Sequence, residues 1–176
     1  MERLKLATVW LGGCSGCHMS FLDLDEFLMV LAETADVVFS PIADVKEYPE
    51  GVDVVLVEGA VANEEHLEMI HRVRARSKTL VSFGDCAVTG NVTALRNPLG
   101  KALPVLARAY LEVEGGKIPG APVPALLDRV VPLHQVVAVD LYLPGCPPSA
   151  AKIKLVLEEI LAGRLPQLAG RDLAFG

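Results

Sequence analysis

Short apolar runs alternate with segments of helical periodicity along the sequence, and this alternation constrains the fold most strongly. Five runs have the length and composition of buried strands, at residues 4–11, 35–41, 52–59, 79–84 and 135–144. Helical patterns occupy residues 20–33, 62–77, 100–110 and 149–163. Because strands joined through helices run parallel, the sequence predicts a single α/β domain over residues 1–176, with an open, mainly parallel sheet and helices on both faces.

Residues at the expected helix ends agree with this prediction. Ser20, Asn63 and Ser149 are good N-cap residues, and Gly163 ends the last helical pattern. Residues 85–132 are rich in Gly, Pro and Asn and are predicted to be mostly irregular. A loop of this length in a compact domain is usually functional or covered by a partner.

Composition excludes two classes of function. The chain has a net charge of −6, only 5% aromatic residues and no basic run, so nucleic-acid binding is not expected. A membrane span is not expected either, because glycines and polar residues interrupt every apolar stretch before about 20 residues. The sequence begins with Met and carries no cleavage signal or twin arginine near its start, so we expect a cytoplasmic protein.

Four cysteines fall at equivalent places on the predicted sheet. Cys14 and Cys17 follow the first strand, Cys86 follows the fourth and Cys146 follows the fifth. The carboxyl ends of parallel strands lie on one edge of a sheet, and that edge is where sites form in open α/β folds. We therefore expect the four thiols to lie close together.

Glycine and proline accompany each cysteine. Glycines are present at positions 12, 13, 16, 84 and 145, and Pro147 and Pro148 follow Cys146. Glycine allows close approach of the backbone and leaves N–H groups free to face a negatively charged centre. Gly13 and Pro147 are thus candidates for shaping a site around the thiols, and a Cys-Pro pair is also found in iron–sulfur ligation.

The string "CSGCH" fits several chemistries when it is read alone. It matches the pattern for covalent haem attachment and, as a C-x-x-C between a strand and a helix, a redox dithiol. Both leave Cys86 and Cys146 without a role. A zinc site and plain buried cysteines remain open alternatives. A 4Fe–4S cluster uses all four thiols and tolerates long spacings between them, so it is the favoured interpretation.

Four motifs taken together resemble a known family. In chain order they are "GGCSGCHMSFLDL", "VEGAV", "FGDCAVTGNV" and "LPGCPPSA", and together they resemble the proximal-cluster domain of NiFe hydrogenase small subunits. The resemblance implies a flavodoxin-like fold and one 4Fe–4S cluster bound by Cys14, Cys17, Cys86 and Cys146. It also implies a subunit that is not catalytic alone.

Departures from the wider family narrow the resemblance. Many members carry further cysteines and a His in a C-terminal extension, whereas this sequence ends at Gly176. The related subunit of respiratory complex I has an adjacent first pair of cysteines, whereas Ser15 and Gly16 separate the pair here. Many relatives have two glycines where this chain reads Gly90-Asn91. The sequence is most similar to small subunits of cytoplasmic NAD(P)-linked, bidirectional hydrogenases.

The resemblance implies a division of labour among subunits. The nickel–iron centre would lie in a separate large subunit, and a diaphorase module would carry further iron–sulfur clusters, FMN and the NAD site. In the flavodoxin fold the loop after the first strand is rich in Ser and Thr and binds phosphate. Here that loop carries cysteines, so we expect no FMN on this chain.

Several polar residues are candidates for positions around the cysteines. His18 follows the first pair, Glu58 ends the third strand, and Asp85 precedes Cys86. Each has an ordinary alternative: a buried, satisfied histidine, a carboxylate that caps a strand end, and an aspartate that caps a turn. Two other functions also remain: a scaffold stapled by zinc, and a related electron carrier, complex I-like or linked to NADP or quinone.

Overall fold

The main sheet of the computed structural model, which describes residues 3–175, has five parallel strands. They are β1 (Leu4–Trp10), β2 (Ala35–Phe39), β3 (Val52–Glu58), β5 (Ser77–Phe83) and β7 (Leu141–Leu143). Their spatial order is β2-β1-β3-β5-β7. With these five strands numbered consecutively the order is 2-1-3-4-5, which is the flavodoxin-like order. The predicted α/β class, open parallel sheet and topology are confirmed.

Strand register brings the carboxyl ends of four strands level with one another. Trp10 pairs with Glu58, Glu58 pairs with Phe83, and Phe83 pairs with Leu143. Each of these residues is the last of its strand. The loops that follow β1, β3, β5 and β7 therefore leave the sheet along a single edge.

Helices cover both faces of the sheet. On one face, α1 (Gly16–Leu22), α2 (Phe27–Thr34) and α6 (Ala150–Leu161) pack against alternate strand residues such as Leu6 and Leu56. On the other face, α3 (Glu64–Arg76) packs with Tyr48 and Leu133 against Ala7 and Val55. Successive strand residues thus contribute to two apolar cores, which explains why the strands read as continuous apolar runs.

The first helix differs from the prediction. It begins at Gly16 rather than after Ser20, because Ser15 adopts a left-handed conformation with φ of 65° that turns the chain directly into α1. It is also interrupted between Leu22 and Phe27, so the predicted helix is two short ones. The expected caps of two other helices are confirmed: Asn63 accepts a hydrogen bond from His66 N, and Ser149 accepts one from Lys152 N.

The region between β5 and β7 is more ordered than its composition predicts. It contains α4 (Asp85–Thr89), a 3-10 helix (Asn91–Leu99) and α5 (Ala102–Tyr110), of which only the last was expected. Strand β6 (Leu126–Val131) pairs antiparallel with the short β4 (Val61–Asn63) in a separate sheet. The predicted fifth strand, 135–144, is reduced to the three residues of β7.

Within residues 3–175, no helix has the length and apolar character that a membrane crossing requires.

Candidate functional site

All four cysteines line one cavity at the carboxyl edge of the sheet. The cavity has a volume of about 60 Å³. Its other lining residues are Gly16, Glu58, Asp85, Gly145 and Pro147. The cysteines come from the loops after β1, β5 and β7, so the aligned strand ends are what bring them together. Sequence separation is irrelevant to this grouping because the sheet supplies the convergence.

The first pair of cysteines is positioned by the start of α1. Cys17 lies in the first turn of the helix and is buried, whereas Cys14 precedes the helix and is exposed. The left-handed turn at Ser15 separates the two. Gly16 lies against this pair, since a methyl group on it would be 3.3 Å from Cys14 Sγ.

The third cysteine depends on the glycine that precedes α4. Gly84 has φ of 83°, and a methyl group there would lie closer than 3.0 Å to Cys17 Sγ. Only glycine accepts this backbone conformation and this contact together. Cys86 follows in α4 and is buried. The string "FGDC" thereby places the Cys86 loop directly against Cys17.

The fourth cysteine is held by a reciprocal pair of hydrogen bonds. Gly145 N donates to Asp85 Oδ1 at 2.6 Å, and Asp85 N donates to Gly145 O at 2.9 Å. The buried carboxylate of Asp85 therefore links the Cys86 loop to the loop of the exposed Cys146. Of the flanking prolines, Pro147 lines the cavity, and the carbonyl of Pro148 accepts a 2.6 Å hydrogen bond from Ser20 Oγ.

Glu58 and His18 form a buried pair beside the cavity. His18 N donates to Glu58 Oε2 at 3.0 Å, and the ring Nδ1 of His18 lies 2.5 Å from the same oxygen. Glu58 is only 1% exposed. Because His18 directly follows Cys17, the carboxylate fixes the first turn of α1 against the end of β3. Gly13 makes room for it, since a methyl group on Gly13 would lie 3.3 Å from Glu58 Oε1.

Burial and mutual repulsion act on the thiols. Burial raises the pKa of Cys17 far above its ordinary value, and the charges of Glu58 and the other three cysteines add to the rise. Burial also raises the pKa of Cys86, although hydrogen bonds from Thr93 lower it in part. Four thiolates beside a carboxylate are stable together only around positive charge. Loading of a metal centre here would therefore release protons.

The donor set fits an iron–sulfur cluster. Thiolates are soft ligands that bind zinc, Cu(I) and iron–sulfur clusters. The thiols surround a space of about 60 Å³, which could hold more than one water-sized group. Among residues 3–175, no three Cys, His, Asp or Glu side chains come close enough to share a single metal ion. Thiols arranged around a void suit a polynuclear cluster better than one zinc ion.

Two contacts were not expected from the sequence. Thr93, in the 3-10 helix, hydrogen-bonds Cys86 and donates to Gly12 O at 2.8 Å. Asn91, only a weak candidate in the sequence, donates from Nδ2 to Cys146 Sγ at 3.4 Å. No local pattern signals either contact, because each depends on the 3-10 helix folding back over the cysteine loops.

The chain matches a protein family over most of its length. Residues 14–160 match the family described as NADH ubiquinone oxidoreductase, 20 Kd subunit. Among curated relatives, a subunit of the F420-non-reducing hydrogenase of Methanothermobacter marburgensis is 41% identical over 98% of this chain and 58% of that protein. The NAD-reducing hydrogenase HoxS subunit delta of Cupriavidus necator is 40% identical over 92% of this chain and 80% of that protein. The chain thus spans a little over half the length of the archaeal relative.

Solved structures agree with these relatives. The crystal structure of an NAD+-reducing NiFe hydrogenase in the H2-reduced state contains a chain that superposes with a TM-score of 0.94 and 38% identity, covering 99% of this chain and 100% of that one. A NiFeSe hydrogenase chain from Dm. baculatum has a TM-score of 0.64 at 17% identity, which is a likeness of fold alone. The chain therefore belongs to the NADH ubiquinone oxidoreductase 20 Kd subunit family and is a hydrogenase small-subunit-like member of it.

Proposed function

We propose that the chain is the electron-transfer subunit of a cytoplasmic NAD-reducing NiFe hydrogenase. In this proposal Cys14, Cys17, Cys86 and Cys146 bind one 4Fe–4S cluster. The single observation that carries the proposal is that all four thiols, from three separate loops, line one cavity. The high similarity to a chain of an NAD+-reducing hydrogenase supports the choice of complex.

A 4Fe–4S cluster supplies one-electron redox chemistry when it is bound, and this chain's residues would hold and tune it. The cysteine thiolates would be its ligands. Asp85 and Glu58 would keep the ligand loops in register through their bonds to Gly145 and His18. A rigid, partly buried cradle of this kind limits reorganisation around a redox centre.

The cavity edge is suited to contact with a partner. Cys14 and Cys146 are exposed, and apolar side chains near them in sequence are exposed as well. Met19 is 58% exposed, Val92 is 52% exposed and Leu95 is 74% exposed. Exposed apolar groups around a polar centre are typical of interface cores. We assign this surface to a large subunit that carries the nickel–iron centre and splits hydrogen.

Onward transfer would require a diaphorase module. In the proposed complex, electrons leave this chain for partner subunits that carry iron–sulfur clusters, FMN and the NAD site. The loop between β1 and α1 is committed to Cys14 and Cys17, so FMN is assigned to the partners rather than to this chain.

Metal analysis tests the cofactor. The complex would be purified without oxygen, and its iron, acid-labile sulfide and zinc would be measured alongside its EPR spectrum after reduction. We expect iron and sulfide in equal amounts at this site. Zinc without acid-labile sulfide would refute the cluster and favour a stapled scaffold.

Ligand variants test the electron route. Cys86→Ser and Cys146→Ser should each abolish hydrogen-dependent NAD+ reduction in the assembled complex. NADH oxidation with an artificial acceptor takes place at the diaphorase and should survive, which makes it the internal control. Loss of both activities would indicate that the cysteines act by holding the assembly together.

A carrier with another electron acceptor is the second candidate. The observation in its favour is that the archaeal relatives, named F420-non-reducing hydrogenases, are as similar as the NAD-reducing one. Purification of the natural complex separates the two. Co-purifying FMN and NAD-dependent activity support the first candidate, whereas a complex that oxidises hydrogen without reducing NAD+ supports the second.

A further inference from the structure

We propose that Asn91 raises the reduction potential of the cluster by donating a hydrogen bond to the sulfur of Cys146. This inference rests on the proposed function, because it assumes a cluster on the four cysteines. It is carried by the 3.4 Å contact from Asn91 Nδ2 to Cys146 Sγ. The contact joins the start of the 3-10 helix to the loop after β7, residues that are 55 positions apart.

The backbone at position 91 restricts which residues can stand there. Asn91 has φ of 33° and follows Gly90, whose φ is 90°. Non-glycine residues rarely adopt positive φ, and asparagine and aspartate are among those that tolerate it best. Glycine would fit this turn with less strain. Of the residues that suit the turn, asparagine is the one whose side chain can donate an N–H to sulfur.

The chemistry of the acceptor fixes the direction of this bond. A thiolate ligand carries no proton, so it can only accept, and the amide must present its nitrogen. Cys146 is one of the two exposed cysteines, at the open side of the cavity. Asn91 therefore supplies a fixed donor at a sulfur where solvent or a partner subunit would otherwise determine the hydrogen bonding.

The sign of the effect follows from charge. Reduction adds one negative charge to the cluster, and a donor to a ligand sulfur stabilises that charge. Glu58 and Asp85 line the same cavity, and carboxylates there act in the opposite sense. Asn91 offsets part of that unfavourable contribution. Its removal should make the cluster harder to reduce.

Two variants at position 91 separate donation from backbone shape. Asn91→Gly keeps the left-handed turn and removes the donor, and Asn91→Asp keeps the side-chain size but replaces the donor with a carboxylate. Thr89→Val is the matched control in the same turn, because the Thr89 hydroxyl bonds Asp85 O and Asn91 N but no sulfur. The readout is an EPR-monitored redox titration of the cluster in the anaerobically purified complex, with iron and sulfide measured on each sample.

We expect the equilibrium constant for reduction to fall by up to about tenfold in Asn91→Gly, which corresponds to about 59 mV. A larger fall is expected in Asn91→Asp and none in Thr89→Val. Full iron and sulfide content with an unchanged potential in both position-91 variants would overturn this inference and leave the proposed function intact. Equal falls in Asn91→Gly and Thr89→Val would also overturn it, because turn packing would then be the cause. Absence of iron and sulfide from the unmodified complex would refute both proposals.

Discussion

Gly84→Ala is the substitution for which the structure gives the sharpest expectation. Gly84 has φ of 83° and ψ of 163°, a region open essentially to glycine, and any other residue there costs about 1–3 kcal/mol. The added methyl group would also lie closer than 3.0 Å to Cys17 Sγ and 3.5 Å from Gly145 O. Overpacking of a filled site costs a further 1–3 kcal/mol or so.

The two contributions sum to about 2–6 kcal/mol of the free energy of unfolding, a large share of the roughly 5–15 kcal/mol typical of a domain. Relief requires movement of the Cys17 sulfur, so the variant should also fail to assemble the cluster. Denaturant unfolding of the chain measures the first effect. Iron and acid-labile sulfide per chain in the purified complex measure the second.

Gly100→Ala is the matched control. Gly100 also has a positive φ, 94°, but a methyl group on it would meet nothing within 4 Å. Its variant should lose about 1–3 kcal/mol from backbone strain and keep its full iron content. If Gly84→Ala retained the same iron and sulfide as Gly100→Ala, the contact with Cys17 would not matter and the reasoning would be wrong.

Three further predictions follow from contacts around the core. Glu58→Ala should lower the free energy of unfolding by about 3 kcal/mol, because it leaves the buried His18 N–H without its acceptor, whereas Glu58→Gln should cost less than half as much in the same denaturant titration. Equal losses would argue against the hydrogen bonds as the cause. Ser20→Ala should cost about 1–2 kcal/mol by leaving Pro148 O unpaired, and thermal unfolding unchanged from the parent would contradict this. Burial raises the pKa of Tyr48 from 10.0 to about 12, so its contribution to stability is present below pH 10 and is lost as pH rises through 12. Unfolding titrations at these two pH values should differ by up to about 3 kcal/mol in the parent and by less in Tyr48→Phe.

Much of the fold was determined by local sequence. Apolar runs and helical periodicity are properties of neighbouring residues, so they predicted the main strands, the helix caps at Asn63 and Ser149, and the parallel sheet. Placing the cysteines on one edge of the sheet followed from topology alone, since parallel strands end on the same side. That step required no knowledge of side-chain contacts.

Tertiary structure decided which residues meet. Ser20 was predicted as a helix cap, but it faces inward to Pro148, 128 residues away, because the chain had already turned at Ser15. The pairing of β4 with β6 was missed because both are short and lack a clear alternating pattern.

The surroundings of the candidate site were likewise fixed by distant parts of the chain. Glu58 reaches His18 across 40 residues, and Asn91 reaches Cys146 across 55. The sequence by itself determined the ligand type and the edge of the sheet on which the thiols lie. The hydrogen bonds around them were set by how the loops pack over that edge, because no local pattern encodes contacts between segments so far apart.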